Sequence, residues 1–127
     1  MISDDQLSEL IESGKKYRGD PKQDVFPVVL LKLPASPPSS WMLCYVDPDN
    51  HDKAFGLMQV AGGQPELGFV SLEELKSLKG YQDKGVYQDT LFDGADRLEI
   101  NRYARVARSL GQITLQFTEK LNKDDLF

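Results

Sequence analysis

Cysteine, histidine and long apolar runs are what this chain has least of, and each scarcity closes off some chemistry. The single cysteine, Cys44, leaves no intramolecular disulfide and no cysteine-rich metal site. The single histidine, His51, rules out two-histidine metal motifs and a relay from one histidine to another. No apolar run approaches the roughly 20 residues that cross a bilayer, so no membrane segment is expected. The chain also lacks a basic excess. Its 15 Lys and Arg face 20 Asp and Glu, for a net charge of −5 and a pI near 4.8. A nucleic-acid backbone or an anionic membrane needs a basic face, so each is a poor candidate for the main partner. The acidic excess is in turn too thin for a protein that mimics DNA.

What is present reads as one ordinary globular domain. With 127 residues, 40% apolar and 28% charged, the chain is long enough for a core of its own and far from the composition of disorder. Three parts are expected within the single domain 1–127: an N-terminal helix and connection over 1–24, a core over 25–118, and a frayed charged tail over 119–127. Met1-Ile2-Ser3-Asp4-Asp5 is acidic where a secretory signal would be basic and then apolar, which makes a cytoplasmic location the expectation.

The most legible stretch is Ala54–Leu78. It predicts a strand over Ala54–Ala61, a tight turn at Gly62-Gly63 with positive φ, and a second strand over Leu67–Val70. A helix over Leu72–Lys79 follows. Ser71 and Glu74 form its capping box, and Gly80 stands where a left-handed C-terminal residue belongs. Leu72, Leu75 and Leu78 are its apolar stripe, expected to pack on the sheet through Phe55, Leu57 and Phe69.

Elsewhere, Ser3 with Gln6 opens a short helix whose apolar face is Leu7, Leu10 and Ile11 and whose end is expected at Gly14. Val25–Leu33 is apolar on both alternating faces, as a strand covered on both sides would be. Pro34–Ser40 reads as a stiff extended loop. In the strand Trp41–Val46, Trp41, Leu43 and Tyr45 should face one way and Met42, Cys44 and Val46 the other. A loop is expected over Asp47–Lys53, with His51 in it. A strand over Val86–Phe92 and a turn at Asp93-Gly94 lead to a helix over about Leu98–Leu110. Ile100, Tyr103, Ala104, Ala107 and Leu110 form its stripe and Gly111 its cap. Gln112–Thr118 alternates as a last strand, with Ile113, Leu115 and Phe117 inward. Together these predict an α+β fold: a mainly antiparallel sheet of about five to six strands, with two to three helices packed on one face.

Several of these blocks, in order, resemble one family. Ala54-Phe55-Gly56-Leu57 and Pro65–Leu75 resemble the core of the family called domain of unknown function 2958. Val28–Leu33 with Trp41, the Asp47–Asp49 turn and Tyr87–Phe92 agree with it. The resemblance spans roughly Val25 to Ile113 and implies a bacterial protein met mainly on plasmids, phages and integrated elements. It implies no mechanism.

The residues that could carry chemistry are few. Asp47, Asp49 and Asp52 flank His51, but the calcium-loop pattern fails: Asp52 stands where Gly is needed and Met58 where the bidentate Glu is needed. No metal and no cofactor are expected. Cys44 lies mid-strand among apolar residues, away from the cations that make a thiol reactive. Gly62-Gly63 lacks the Lys-Ser or Lys-Thr and the helix of a phosphate loop. Among the carboxylates, Glu66 is singled out as a rim residue just ahead of a short strand. Arg97, Arg102, Arg105 and Arg108 give four arginines against one acid, Glu99, and the last three lie on one drifting helical stripe. The expectation is a non-enzymatic accessory protein of a bacterial mobile element or phage, acting by protein–protein contact, with an anti-defence inhibitor in that class. These four arginines would be its docking residues, and self-association stays open. No catalytic residue is assigned. A carboxylate-dependent hydrolase using Glu66 or an aspartate near Asp89, and a weak nucleic-acid binder using the arginine helix, are the alternatives.

Overall fold

The structure is a computed structural model that describes residues 1–92 and 97–115. It is an α+β fold built on a five-stranded antiparallel sheet with three helices. In chain order the elements are α1 (Asp4–Gly19), β1 (Val29–Leu33), β2 (Ser39–Asp47), β3 (Asn50–Gln59), β4 (Glu66–Ser71), α2 (Leu72–Ser77), β5 (Tyr87–Gln88) and α3 (Ile100–Leu110). The strands run β4-β3-β2-β1-β5 across the sheet, so β4 and the two-residue β5 are its edges.

The expected N-terminal capping box of α1 is present: Ser3 Oγ accepts from the Gln6 amide and Gln6 Oε1 accepts from the Ser3 amide. The helix does not stop at Gly14 as expected. It continues to Gly19, because Gly14 answers a tertiary need. The residue is buried, and a Cβ there would collide with the Val46 carbonyl. Glycine lets α1 lie directly on β2, and the additional turn carries Tyr17 over the sheet.

Strand β2 corrects a second expectation. Its pairing with β3 slips between Leu43 and Tyr45, where Leu43 opposes Gly56 but Tyr45 opposes Phe55. A bulge of this kind places one additional residue in the strand and inverts the alternation beyond it. Trp41, Leu43 and Val46 therefore share one cluster, whereas Met42, Cys44 and Tyr45 share the other. The expected Asp47–Lys53 loop shrinks to Pro48-Asp49, and His51 lies exposed on β3.

These two clusters lie on opposite faces of the sheet, and the helices cover both. Leu10 of α1 and Leu72 and Leu75 of α2 join Val29, Leu31, Trp41 and Leu43. Ile100, Tyr103, Ala104 and Ala107 of α3 join Leu30, Met42, Cys44 and Leu57. The expectation of helices on one face fails because β1 and β2 are apolar on both, and each face needs a cover. It follows that α2 packs beside Ala54, Met58 and Val70, not through Phe55, Leu57 and Phe69, which point to the other side. Leu110 is half exposed, and Val106 takes its expected place in the core.

Smaller departures have local causes. β1 begins at Val29, although Val28 still donates to the Leu43 carbonyl. β2 begins at Ser39, inside the expected loop. The Val60–Gly63 turn puts positive φ on Ala61 and Gly62, with the Gly63 amide closing it onto the Val60 carbonyl, so only one of the two expected glycines is left-handed. At α2 only half of the box forms: Ser71 Oγ accepts from the Glu74 amide, and Asp52 of β3 accepts from the Glu73 amide. Gly80 is not left-handed; a Cβ there would meet the Pro34 carbonyl. The strand expected over Val86–Phe92 keeps only Tyr87–Gln88, because the Asp89 carboxylate accepts from the Leu91 amide and turns the chain. Gly111 caps α3 at φ 76° as expected. Residues 112–115 are not a strand, though Ile113 and Leu115 do pack on the second cluster. The Asp93-Gly94 turn, Phe117, Thr118 and the tail from Glu119 lie outside the described residues.

Candidate functional site

The bulge in β2 has one large effect on the surface. By turning Tyr45 onto the face of Phe55 and Phe69, it lines up aromatic rings across three strands. Tyr17 of α1 stacks on Tyr45 at 4.9 Å, and Tyr45 stacks on Phe55 at 5.1 Å. Phe69 of β4 meets Phe55 edge-on at 5.2 Å, with an interplanar angle of 62°. Spacings of this kind are the preferred offset and edge-to-face arrangements. From Tyr45 outward, burial falls along the row. Tyr45 is 6% exposed, and Phe69, the last ring, is 48% exposed. Burial first, then the neighbouring Tyr17, pushes the Tyr45 phenol up to about 12.

Two recesses flank the row, and both are lined by Tyr17 and Pro21. One, of about 330 Å³, lies against Tyr45, Pro48 and Phe69. The other, of about 240 Å³, lies against Val25, Phe55, Leu67 and Asn101. At the rim Arg18 braces the β2–β3 turn, donating to Asp47 at 3.0 Å and to Asp49 at 2.9 Å. The Arg18 hydrogen bond holds the Asp49 carboxyl below its ordinary range. The Lys53 ammonium lies 4.5 Å from the centre of the Phe69 ring, an attraction to the face of the π-system.

The row ends on a sheet edge. Among the described residues no strand pairs with the outer side of β4. Its inner pairing with β3 is regular from Met58–Glu66 to Lys53–Ser71, without a bulge. Natural edges are usually blunted by Pro, Lys, a bulge or brevity. β4 is six residues long and has neither Pro nor Lys.

The arginines singled out in the sequence are not brought together as one surface. Arg97 turns inward, donating to the Pro27 carbonyl at 3.2 Å and lying 5.4 Å over the Phe92 ring, with Glu9 at 3.7 Å. Arg102 is half-buried, Arg105 and Arg108 are exposed, and Arg102 and Arg105 have interactions of their own within the chain. Glu66 stands exposed at the start of β4, opposite Met58, as a rim residue. Asp89 is ion-paired with Lys32 at 2.8 Å beside the far edge of the sheet, so the two carboxylates considered for hydrolysis do not converge. Cys44 is fully buried, and burial drives its thiol far above its ordinary range. Among the described residues no group of three or more His, Cys, Asp and Glu could hold a metal ion. None of the helices of the described residues is long and apolar enough to cross a membrane.

The order of blocks noted in the sequence has a counterpart in the family comparison. The family model described as "Protein of unknown function (DUF2958)" matches residues 1–114. The chain belongs to the DUF2958 family. No curated protein and no solved structure matches it. The ring row of this DUF2958 protein was hidden from sequence reasoning, because Tyr17, Tyr45, Phe55 and Phe69 come from four elements. Half of it had a signal: Phe55 and Leu57, then Leu67 and Phe69, alternate on either side of one turn and so must share a face. Tyr45 joins them only through the bulge.

Proposed function

We propose that this DUF2958 chain is a protein-binding module without catalysis of its own, which receives an extended segment of its partner along β4. The observation that carries this reading is the ring row ending in half-exposed Phe69 on a regular edge that is unpaired among the described residues. An added strand would gain main-chain hydrogen bonds from β4, and its alternate side chains would rest on Leu67 and Phe69. A small accessory protein of a bacterial mobile element, working in the cytoplasm by contact with a host protein, is the setting that suits such a module. An anti-defence inhibitor falls within that class.

The test is site-specific photo-crosslinking in the native host, with the photoreactive residue at Phe69 or, as the comparison, at Ser77 on α2. Adducts at position 69 should join β4 to one short stretch of a single partner, and position 77 should give few. Equal yields at both positions, or none at position 69, would overturn the reading.

A further inference from the structure

We infer that the segment received by β4 is basic at the point where it passes Glu66, so that the partner is a protein offering an extended stretch flanked by Lys or Arg. This rests on the strand-addition reading and adds the partner's chemistry to it. The register with β3 assigns the side chains. Leu67 and Phe69 share a face with Leu57 and Phe55, while Glu66, Gly68 and Val70 share the other with Met58, Gly56 and Ala54. An incoming strand thus meets apolar side chains on one face and a carboxylate on the other. Glu66 has no ion pair among the described residues.

β4 itself carries no Lys or Arg to answer it. Glu73 and Glu74 open α2 just beyond the far end of β4. At that same far end Lys53 lies over Phe69 and Lys76 is bridged to Glu73 at 3.3 Å. The whole chain carries −5, which adds to the same field. Residues directly opposite across two strands lie close enough for charge to count, and like charges there are destabilising. A second copy of this chain would not answer Glu66, because β4 has no Lys or Arg and two chains of −5 would meet.

Gly68 supports the use of this edge by another strand. A Cβ at that position would meet nothing nearer than Met58 Cε, at 3.8 Å. Internal packing therefore leaves room for a side chain there. The bare backbone keeps one face of the edge flat at its middle, where a neighbouring chain can approach closely.

The experiment uses the full chain, isotope-labelled for amide NMR, and two synthetic peptides. The first reads Ser-Lys-Val-Thr-Val-Thr-Ser and the second has Glu in place of Lys. Both are N-methylated on alternate amides so that they cannot pair with themselves. Titration of the Lys peptide should move the β4 amides. It should bind roughly three- to tenfold tighter than the Glu peptide at low salt, and Glu66→Lys should reverse that order while leaving the rest of the spectrum in place. Movement of the β4 amides with equal affinities for the two peptides would overturn the basic-segment inference and leave strand addition standing. No movement of β4 with either peptide would overturn both. Slow hydrogen exchange of the outward β4 amides in the free protein would also overturn both, because something else would already occupy the edge.

Discussion

Two glycines of α1, Gly14 in its interior and Gly19 at its last position, carry opposite expectations. Alanine is favoured over glycine by up to about 1 kcal/mol in a helix interior. At Gly19 nothing lies within 4 Å of the new methyl, so Gly19→Ala should be neutral or slightly stabilising. At Gly14 the methyl would enter the Val46 carbonyl, and β2 is held on both sides by β1 and β3 and cannot retreat. Gly14→Ala should cost about 1–3 kcal/mol by overpacking despite the propensity gain. Urea unfolding of the two variants tests this. Equal effects at both positions would mean that α1 does not sit on β2 as described. The same residue explains why the end of α1 was not legible. A glycine after an apolar stripe reads as a stop signal, and only the neighbouring strand shows that its missing side chain matters for a close approach. Arg97 misled in a related way, since its place in the sequence put it with Arg102, Arg105 and Arg108 while its partners, Pro27 and Glu9, lie far off in the chain.

Element by element, the helix N-caps and the Gly111 cap were what the sequence showed best, because they depend on residues three or four apart. Ser3, Ser71 and Gly111 each stand where local pattern put them. What local pattern missed at α2 was the contribution of Asp52. Its carboxylate accepts from the Ser71 hydroxyl at 2.6 Å and from the Glu73 amide at 2.8 Å, so it shares the cap with Ser71 from another strand. Those bonds, the Ser71 hydroxyl first and the Glu73 amide next, lower the Asp52 pKa. A carboxyl whose pKa is lower in the folded state adds stability above its unfolded value, near 3.9, and loses it as pH falls through the folded value. Parent and Asp52→Asn should therefore differ in urea midpoint at pH 7 and converge below about pH 4. The comparison isolates this group, because Asp49 and Asp89 are present in both. A gap that persists unchanged to pH 3 would show that the Asp52 charge plays no part in the cap. Ser71→Ala should cost about 0.5–2 kcal/mol at neutral pH, the usual loss for an N-cap.

At the scale of the molecule, the two-faced sheet follows from β1 and β2, which no single layer of helices could cover. The sequence made that pattern visible in Val25–Leu33, but the bulge at Cys44 decided which residues of β2 go to which side, and no composition or periodicity announces a bulge. Cys44 consequently sits in the middle strand of the sheet, fully buried, with Met42 and Tyr45 on its side and α3 over it. It is also the chain's one thiol, and burial disfavours its thiolate. A reagent that attacks thiolate has two barriers to pass, and both fall when the sheet opens. Core strands open mostly through global unfolding, whereas loops and edges open locally at lower free energy. Labelling of Cys44 by a thiol reagent in rising sub-denaturing urea should therefore accelerate with the full slope of global unfolding, and the free energy of opening derived from it should match that from equilibrium unfolding. A labelling rate in buffer close to that of a free thiol, or one indifferent to urea, would mean that α3 lifts from the sheet without the rest. The two apolar faces would then be separate units of stability and not one cooperative core.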